Sequence, residues 1–219
     1  MHKFWWLWLP LAFITLQIGL ELTLPWETLA LMHSENGPHE LLQFLIISIG
    51  FILAVSILLK IDFKSQKPLY AWVSLAAISC LYVAGEEVSW GQHFLSWTTP
   101  EFWQAVNDQQ ETNLHNTSSW LDQKPRLLLE IGVVIGGLLI PWLRVKKPGL
   151  IPEKFSIIYP PAWLGVIALL AIFIKLSEKI GESMDMTIFE RASEVEELYL
   201  FYFVLLYLLN LRKVITAKN

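Results

Sequence analysis

Residues 41–59 read LLQFLIISIGFILAVSILL, and no charged residue interrupts this stretch. An α-helix needs about 20 mostly apolar residues to cross the hydrocarbon core of a bilayer. Further stretches approach that length and composition at 4–20, 68–85, 127–143, 157–174 and 195–211. The sequence therefore predicts an all-α integral membrane bundle of six transmembrane helices, which forms a single polytopic domain over residues 1–219.

The composition of the whole chain agrees with this prediction. Of the 219 residues, 54% are hydrophobic and only 16% are charged, and the mean hydropathy is +0.47. A soluble domain of this length could not bury so much apolar surface in one core. The lipid bilayer is therefore the first expected partner. The basic residues are scattered over predicted loops, which gives no support for nucleic-acid binding.

The basic residues also orient the predicted spans. If the N-terminus is cytoplasmic, 11 of the 16 Lys and Arg residues fall on the cytoplasmic side, but only Asp62 and Glu153 of the 20 acidic residues do. Because cytoplasmic loops carry an excess of Lys and Arg, we expect both termini in the cytoplasm. No small-residue cleavage site follows Gly19, so the first apolar stretch is predicted to be a retained span.

Three predicted outer connections are longer than helix closure requires, at 21–40, 86–126 and 175–194. Residues 86–126 are expected to fold back over the outer helix ends as a cap. Within them, Thr99-Pro100-Glu101 predicts a helix start with Thr99 as its cap. The first connection contains two histidines, His33 and His39, that are predicted to be solvated.

The start of the last span is acidic. Ser193 and Glu196 have the spacing of a capping box, which predicts that the last helix begins near Ser193. Glu194, Glu196 and Glu197 would then lie in its first turn, where the helix macrodipole favours negative charge.

The third predicted span ends in Gly85-Glu86-Glu87-Val88-Ser89-Trp90-Gly91-Gln92-His93. Two adjacent carboxylates after 18 uncharged residues are costly unless they face a bundle interior, water or a partner. If the helix continues, Glu86, Trp90 and His93 share one face. The polar run from Asn107 to Asn116 could reach back to these residues.

This arrangement indicates two kinds of chemistry and one structural alternative. As catalytic groups, Glu86 or Glu87 would be a general base, with His93 and His115 as acid–base partners. As ligands, Glu86, His93, His115 and Glu130 offer the mixed oxygen and nitrogen donors that suit a divalent metal such as zinc, iron or manganese. Alternatively, the adjacent carboxylates simply cap a helix end.

Three functions remain open from the sequence. The first is a membrane-embedded hydrolase or transferase that acts on an outer-leaflet or lipid-linked substrate. The second is a small cation- or proton-coupled transporter, although the inner halves of the predicted spans are poor in polar residues. The third is a non-catalytic membrane partner. Gly132 and Gly136 would allow close helix packing in a homo-oligomer or within the bundle.

The stretch from Gly85 to Asn116 resembles a group of uncharacterised bacterial multi-span membrane proteins. The resemblance rests on the GEE-x-SW-GQ motif at Gly85–Gln92, on Thr99-Pro100-Glu101, and on the run that ends Asn113-Leu114-His115-Asn116. It implies a location in the bacterial inner membrane and carries no activity with it.

A second likeness is to the intramembrane CAAX-protease and bacteriocin-processing family, whose first motif is a glutamate pair followed by arginine. This chain has Gly91 at the arginine position, and no histidine follows His115. Both features depart from the pattern of that family.

Overall fold

The computed structural model describes residues 1–34, 37–107 and 109–217, and within them all side chains except those of His93, His115, Ser119, Leu121 and Asp122. Throughout this part of the chain the regular secondary structure is helical, as the sequence predicts. In chain order the α-helices are α1 Leu9–Thr23, α2 Trp26–Met32, α3 Pro38–Leu58, α4 Lys67–Glu87, α5 Gln92–Leu95, α6 Glu101–Val106, α7 Ser119–Val134, α8 Ile140–Lys146, α9 Gly165–Met184 and α10 Ala192–Thr216.

Five helical stretches in the described residues are long and apolar enough to cross a membrane. They are Phe4–Thr23, Pro38–Leu58, Lys67–Glu87, Gln123–Lys146 and Ala192–Thr216. Two of them include a π-helical turn, Phe4–Trp8 before α1 and Ile135–Leu139 between α7 and α8. These five helices are consistent with a membrane protein.

The predicted span at 157–174 is not one of the five. Its first residues lie in short 3-10 turns, and the α-helix begins only at Gly165. The second half of α9 carries Lys175, Glu178, Lys179 and Glu182, which lower its hydropathy. A count of six spans therefore stays a prediction.

Helix α10 is the central element of the bundle. In α10, 61% of the most apolar 18-residue stretch is buried inside the bundle. In the other four candidate spans, the buried share of the corresponding stretch is 17–33%. The amide of Gln43 donates to the carbonyl oxygen of Glu194 (2.8 Å), and the Lys60 ammonium donates to the Thr216 hydroxyl (3.2 Å). These contacts join the two starts and the two ends of α3 and α10, so these helices run parallel.

Helices α4 and α9 run antiparallel to α10. The Trp72 indole near the start of α4 donates to the Tyr207 hydroxyl near the end of α10. The Tyr207 hydroxyl donates to the carbonyl oxygen of Ile158, shortly before the start of α9. Lys175, in the second half of α9, pairs with Glu196 at the start of α10. The starts of α3 and α10 therefore lie with the ends of α4 and α9 at one end of the bundle, here called the acidic end. The opposite end carries Lys60, Arg212 and Lys213 and is called the basic end.

Two predicted helix caps are wrong. Helix α10 begins at Ala192, after Arg191 in a left-handed conformation (φ 46°), so Ser193 is already inside the helix. Helix α6 begins at Glu101 with Pro100 in the cap position, one residue later than predicted. The Thr99 hydroxyl instead donates to the carbonyl oxygen of Gln110 and holds the following loop.

Of the glycines in the fourth predicted span, Gly136 and Gly137 pack within the bundle, whereas Gly132 is exposed. A Cβ at Gly137 would lie 2.7 Å from the Ala168 Cβ and 3.0 Å from the Phe203 ring, whereas a Cβ at Gly132 would meet nothing within 4 Å. The fourth candidate span can therefore approach α9 and α10 this closely only with glycine at position 137.

We expect Gly137→Ala to lower the free energy of unfolding by about 1–3 kcal/mol, because the added methyl group overpacks the contact with Ala168 and Phe203. Gly132→Ala is the matched control, and it should be neutral or stabilising by up to about 1 kcal/mol through helix propensity. Unfolding in detergent micelles measures both. Equal stability of the two variants would contradict this packing.

Candidate functional site: a carboxylate cluster at the acidic end

The segment after α4, residues 88–118, is called the polar loop. It begins with three successive residues in the left-handed region, Ser89 (φ 47°), Trp90 (φ 56°) and Gly91 (φ 100°). This turn follows directly on the last residues of α4, which ends at Glu87. The helix therefore does not continue, and the predicted shared face of Glu86, Trp90 and His93 does not form.

Trp90 nevertheless reaches Glu86. Its ring lies flat over Gly85, where a Cβ would be only 2.8 Å from three ring atoms. This close approach explains why glycine stands at position 85. The Trp90 indole N–H donates to Glu86 Oε1 (2.7 Å), and the backbone N–H of Leu114 donates to Glu86 Oε2 (2.7 Å). Glu86 thus ties both ends of the polar loop to the end of α4.

A buried hydrogen-bond network holds the interior of the polar loop. The Ser89 hydroxyl donates to Glu111 Oε2 (2.5 Å), and the Asn113 amide donates to the same oxygen (2.7 Å). The Asn107 amide in turn donates to Asn113 Oδ1 (2.7 Å). Ser89, Asn107, Glu111 and Asn113 are all buried. The polar run downstream of α6 therefore packs on the end of α4, as the sequence suggested.

Glu87 faces a different environment from Glu86. Its carboxylate interacts electrostatically with Glu197 and Glu194 of α10 and with Glu40 of α3. Glu40, Glu87, Glu194 and Glu197 are partly buried and come from three helices. We call these four residues the carboxylate cluster.

Gln43 lies beside the carboxylate cluster and is fully buried. Its amide N–H donates to the carbonyl oxygen of Glu194 (2.8 Å), which fixes the orientation of the amide group. The other amide atom, Gln43 Oε1, is buried and accepts no hydrogen bond. A buried carbonyl oxygen without a donor costs about 1–3 kcal/mol and calls for an unseen partner such as a water or a cation.

An ion-pair network borders the carboxylate cluster. Arg126 of α7 pairs with Glu197 (2.9 Å) and lies 3.9 Å from Glu130. Lys175 of α9 pairs with Glu196 (3.2 Å), Glu130 (3.4 Å) and Glu178 (3.6 Å). Glu130 therefore lies near two cations, Arg126 on its own helix and Lys175 on α9.

The described side chains at the acidic end carry more negative than positive charge. The acidic residues of the cluster and network, together with Glu86 next to Glu87, are Glu40, Glu86, Glu87, Glu130, Glu178, Glu194, Glu196 and Glu197. The cations that face them are Arg126, Lys175 and Arg191. Eight carboxylates against three cations leave an excess of five negative charges if all groups are ionised.

His33 and His39 are buried, so the prediction that they are solvated is wrong. The exposed fraction is 1% for His33 and 5% for His39, and the rings stack with centroids 4.0 Å apart. The Gln17 amide contacts His33 Nε2 (3.3 Å), and the Arg191 guanidinium donates to the His33 carbonyl oxygen. Burial, together with the nearby His39 and Arg191, lowers the pKa of His33 to about 4.

The predicted catalytic and metal residues are only partly brought together. Glu86 binds the polar loop, Glu87 joins the carboxylate cluster, and Glu130 joins the ion-pair network. The side chains of His93 and His115 lie outside the described part of the structure. Among the described side chains, no three His, Cys, Asp or Glu residues are placed to hold one metal ion. The predicted metal site therefore stays a prediction.

Sequence reasoning missed Glu40 and Gln43 and assigned Glu194 and Glu197 only to helix-start electrostatics. One available signal was Gln43 itself, a polar residue near the start of a long apolar stretch. Polar groups within a span are costly and often functional. The proximity of α3 to α10, which brings Gln43 to Glu194, has no signal in a single sequence.

Comparisons of the chain with protein-family models, with curated proteins and with solved structures give no match.

We expect Glu86→Gln to loosen the polar loop, because an amide nitrogen would replace one of the two oxygens that accept from Trp90 and Leu114. An unsatisfied donor of this kind costs about 1–3 kcal/mol. Hydrogen exchange of the Leu114 amide measures the loss of protection. Glu101→Gln, at an exposed position of the same loop, is the control. Unchanged protection in both variants would mean that Glu86 does not hold the loop.

Proposed function

We propose that this chain is a multi-span membrane protein that binds a cation at the carboxylate cluster between α3, α4 and α10. The observation that carries the proposal is Gln43 Oε1, a buried oxygen with no hydrogen-bond donor. The nitrogen of the same amide group lies 3.5 Å from Glu194 Oε2, so the group borders the carboxylate cluster. A cation would bind this oxygen and the carboxylates together.

Electrostatics supports a positively charged ligand. Two like charges about 4 Å apart repel by roughly 4 kcal/mol at an effective dielectric constant of 20, so neighbouring carboxylates need a proton or a cation between them. Amide and carboxylate oxygens are the donors that hard cations such as Mg²⁺ and Ca²⁺ prefer. No three described carboxylates converge at ligand distance. The cation would therefore keep part of its water shell, as Mg²⁺ commonly does.

The orientation follows from the charges at the two ends. We propose six spans in a bacterial inner membrane, with α9 as the fifth span and both termini in the cytoplasm. The basic end then lies in the cytoplasm and the acidic end lies outside.

A membrane-impermeant thiol reagent applied to intact cells tests this orientation, since it would label Glu182→Cys and leave Lys64→Cys unlabelled.

Binding is better supported than passage through the bundle. The buried polar residues other than tyrosine are Gln17, His33, His39, Gln43, Glu86, Ser89, Asn107, Glu111, Asn113, Ser177 and Glu196, and in the described chain all lie toward the acidic end. Below the cluster, α3, α4 and α10 meet at Gly50, Cys80 and Leu208. This apolar contact offers a cation no ligands on the way to the basic end.

A general-base role for Glu86 has less support. Both of its carboxylate oxygens already accept hydrogen bonds from the polar loop. Glu86 therefore acts through the loop that it positions, whereas Glu87 faces the cation site.

We expect a cation to raise the midpoint of thermal unfolding of the purified chain in detergent. The probes are Mg²⁺, Ca²⁺, Mn²⁺, Na⁺ and spermidine, each added after chelation, with choline chloride holding the ionic strength constant. A ligand at 100 times its Kd stabilises the folded state by about 2.7 kcal/mol, which is readily measured. Comparing inorganic ions with spermidine distinguishes a hydrated metal from an organic cation.

The variants Gln43→Met and Glu194→Gln should lose most of this stabilisation, because they remove the amide oxygen or one negative charge. Glu182→Gln is the matched control, since its side chain is 59% exposed on α9 and pairs only with Lys179 among the ion pairs described. The circular dichroism of each cation-free variant checks that it is folded. The proposal fails if no probe exceeds choline, or if Gln43→Met responds like the wild type.

A further inference from the structure

The first half of the polar loop exposes large apolar side chains. The exposed fraction is 56% for Phe94, 75% for Leu95 and 37% for Trp97. No Asp, Glu, Lys or Arg lies between Glu87 and Glu101. An exposed apolar segment without charge, directly after a candidate span, is typical of a membrane or protein contact.

This segment continues the apolar outer face of α3. The Phe94 ring contacts the Phe44 ring with centroids 5.6 Å apart. Around Phe44, Leu41 is 43% exposed and Leu45 is 53% exposed. Because α3 is a candidate span, this outer face would contact lipid, and Phe94 adds to it beside Phe44.

The backbone of the segment is compatible with a partly dehydrated environment. The Ser96 N–H donates to the carbonyl oxygen of Gln92 (2.7 Å), and the Gln92 amide donates to Thr99 Oγ1 (2.7 Å) and to the Trp97 carbonyl oxygen (3.4 Å). The Gln92 Oε1 atom accepts from the Thr112 N–H (2.8 Å). Local hydrogen bonds thus satisfy polar groups that lipid could not.

We infer that residues 94–97 insert into the bilayer interface at the acidic end, with the lipid acyl chains nearest the headgroups as their partner. Phenylalanine, leucine and tryptophan are the side chains that such a position favours. The insertion anchors the polar loop to the membrane on one side while Glu86 anchors it to α4 on the other. The inference requires the spans but does not depend on cation binding.

A depth measurement with a single fluorescent label tests the insertion. Cys80 is buried and is the one cysteine of the sequence, so Cys80→Ala gives a cysteine-free background. An environment-sensitive nitrobenzoxadiazole label is attached at Leu95→Cys, at Ile52→Cys on the exposed face of α3, and at Glu182→Cys near the end of α9. Each protein is placed in phosphatidylcholine vesicles and quenched by lipids with a doxyl group near the headgroup or by aqueous iodide.

At position 95 we expect blue-shifted emission and at least twofold stronger quenching by the doxyl lipid, relative to iodide, than at position 182. Position 52 sets the value for a residue within the bilayer. The unfolding midpoint of each labelled protein shows that it is folded. A ratio of doxyl to iodide quenching at position 95 equal to or below that at position 182 would overturn the insertion.

Discussion

Carboxylates that are held close together beside an apolar core have a high free energy, and this constrains the whole structure. Ionised groups are tolerated there only when water, opposite charge or hydrogen bonds compensate them. The chain meets this constraint by collecting its buried polar residues at one end of the bundle, around the start of α10. Arg126 and Lys175 compensate the carboxylates on the side of α7 and α9. On the side of α3, Glu40, Glu87 and Glu194 interact electrostatically with one another, and the amide group of Gln43 lies beside Glu194 with its oxygen lacking a donor. These features are the basis for proposing a cation as the ligand.

The polar loop links the sequence motif at the end of α4 to that site. Gly85 leaves room for the Trp90 ring, the left-handed turn at Ser89–Gly91 brings the indole back to Glu86, and Ser89 joins the buried network of Glu111. Gly85, Glu86, Ser89 and Trp90 thus hold the turn at which α4 ends. Because Glu87 is the last residue of that helix, the same turn also determines how Glu87 faces α10.

The helices could be predicted from the sequence, whereas the contacts between them could not. Long apolar stretches such as 41–59 have few alternatives to a helix, so these elements follow from composition alone. Glu86 and Glu87 stood out because a carboxylate pair after an apolar span is costly. The left-handed turn at Ser89 and Trp90 was missed because neither residue type favours it, and only the bonds to Glu111 and Glu86 stabilise it. Gln43, Glu40 and His33 were missed because their partners are distant in sequence, and burial by tertiary contacts leaves no local pattern.

Thiol cross-linking between α3 and α10 tests whether the carboxylates of these separate helices lie close together. In the Cys80→Ala background, Glu40→Cys and Glu194→Cys are combined, a short bifunctional maleimide is added, and the chain is cleaved between the two positions. We expect the two fragments to stay joined in high yield, while the pair Lys64→Cys and Glu194→Cys, at opposite ends of the bundle, gives separate fragments. Equal yields for the two pairs would contradict this expectation, because the carboxylates would then not share a site.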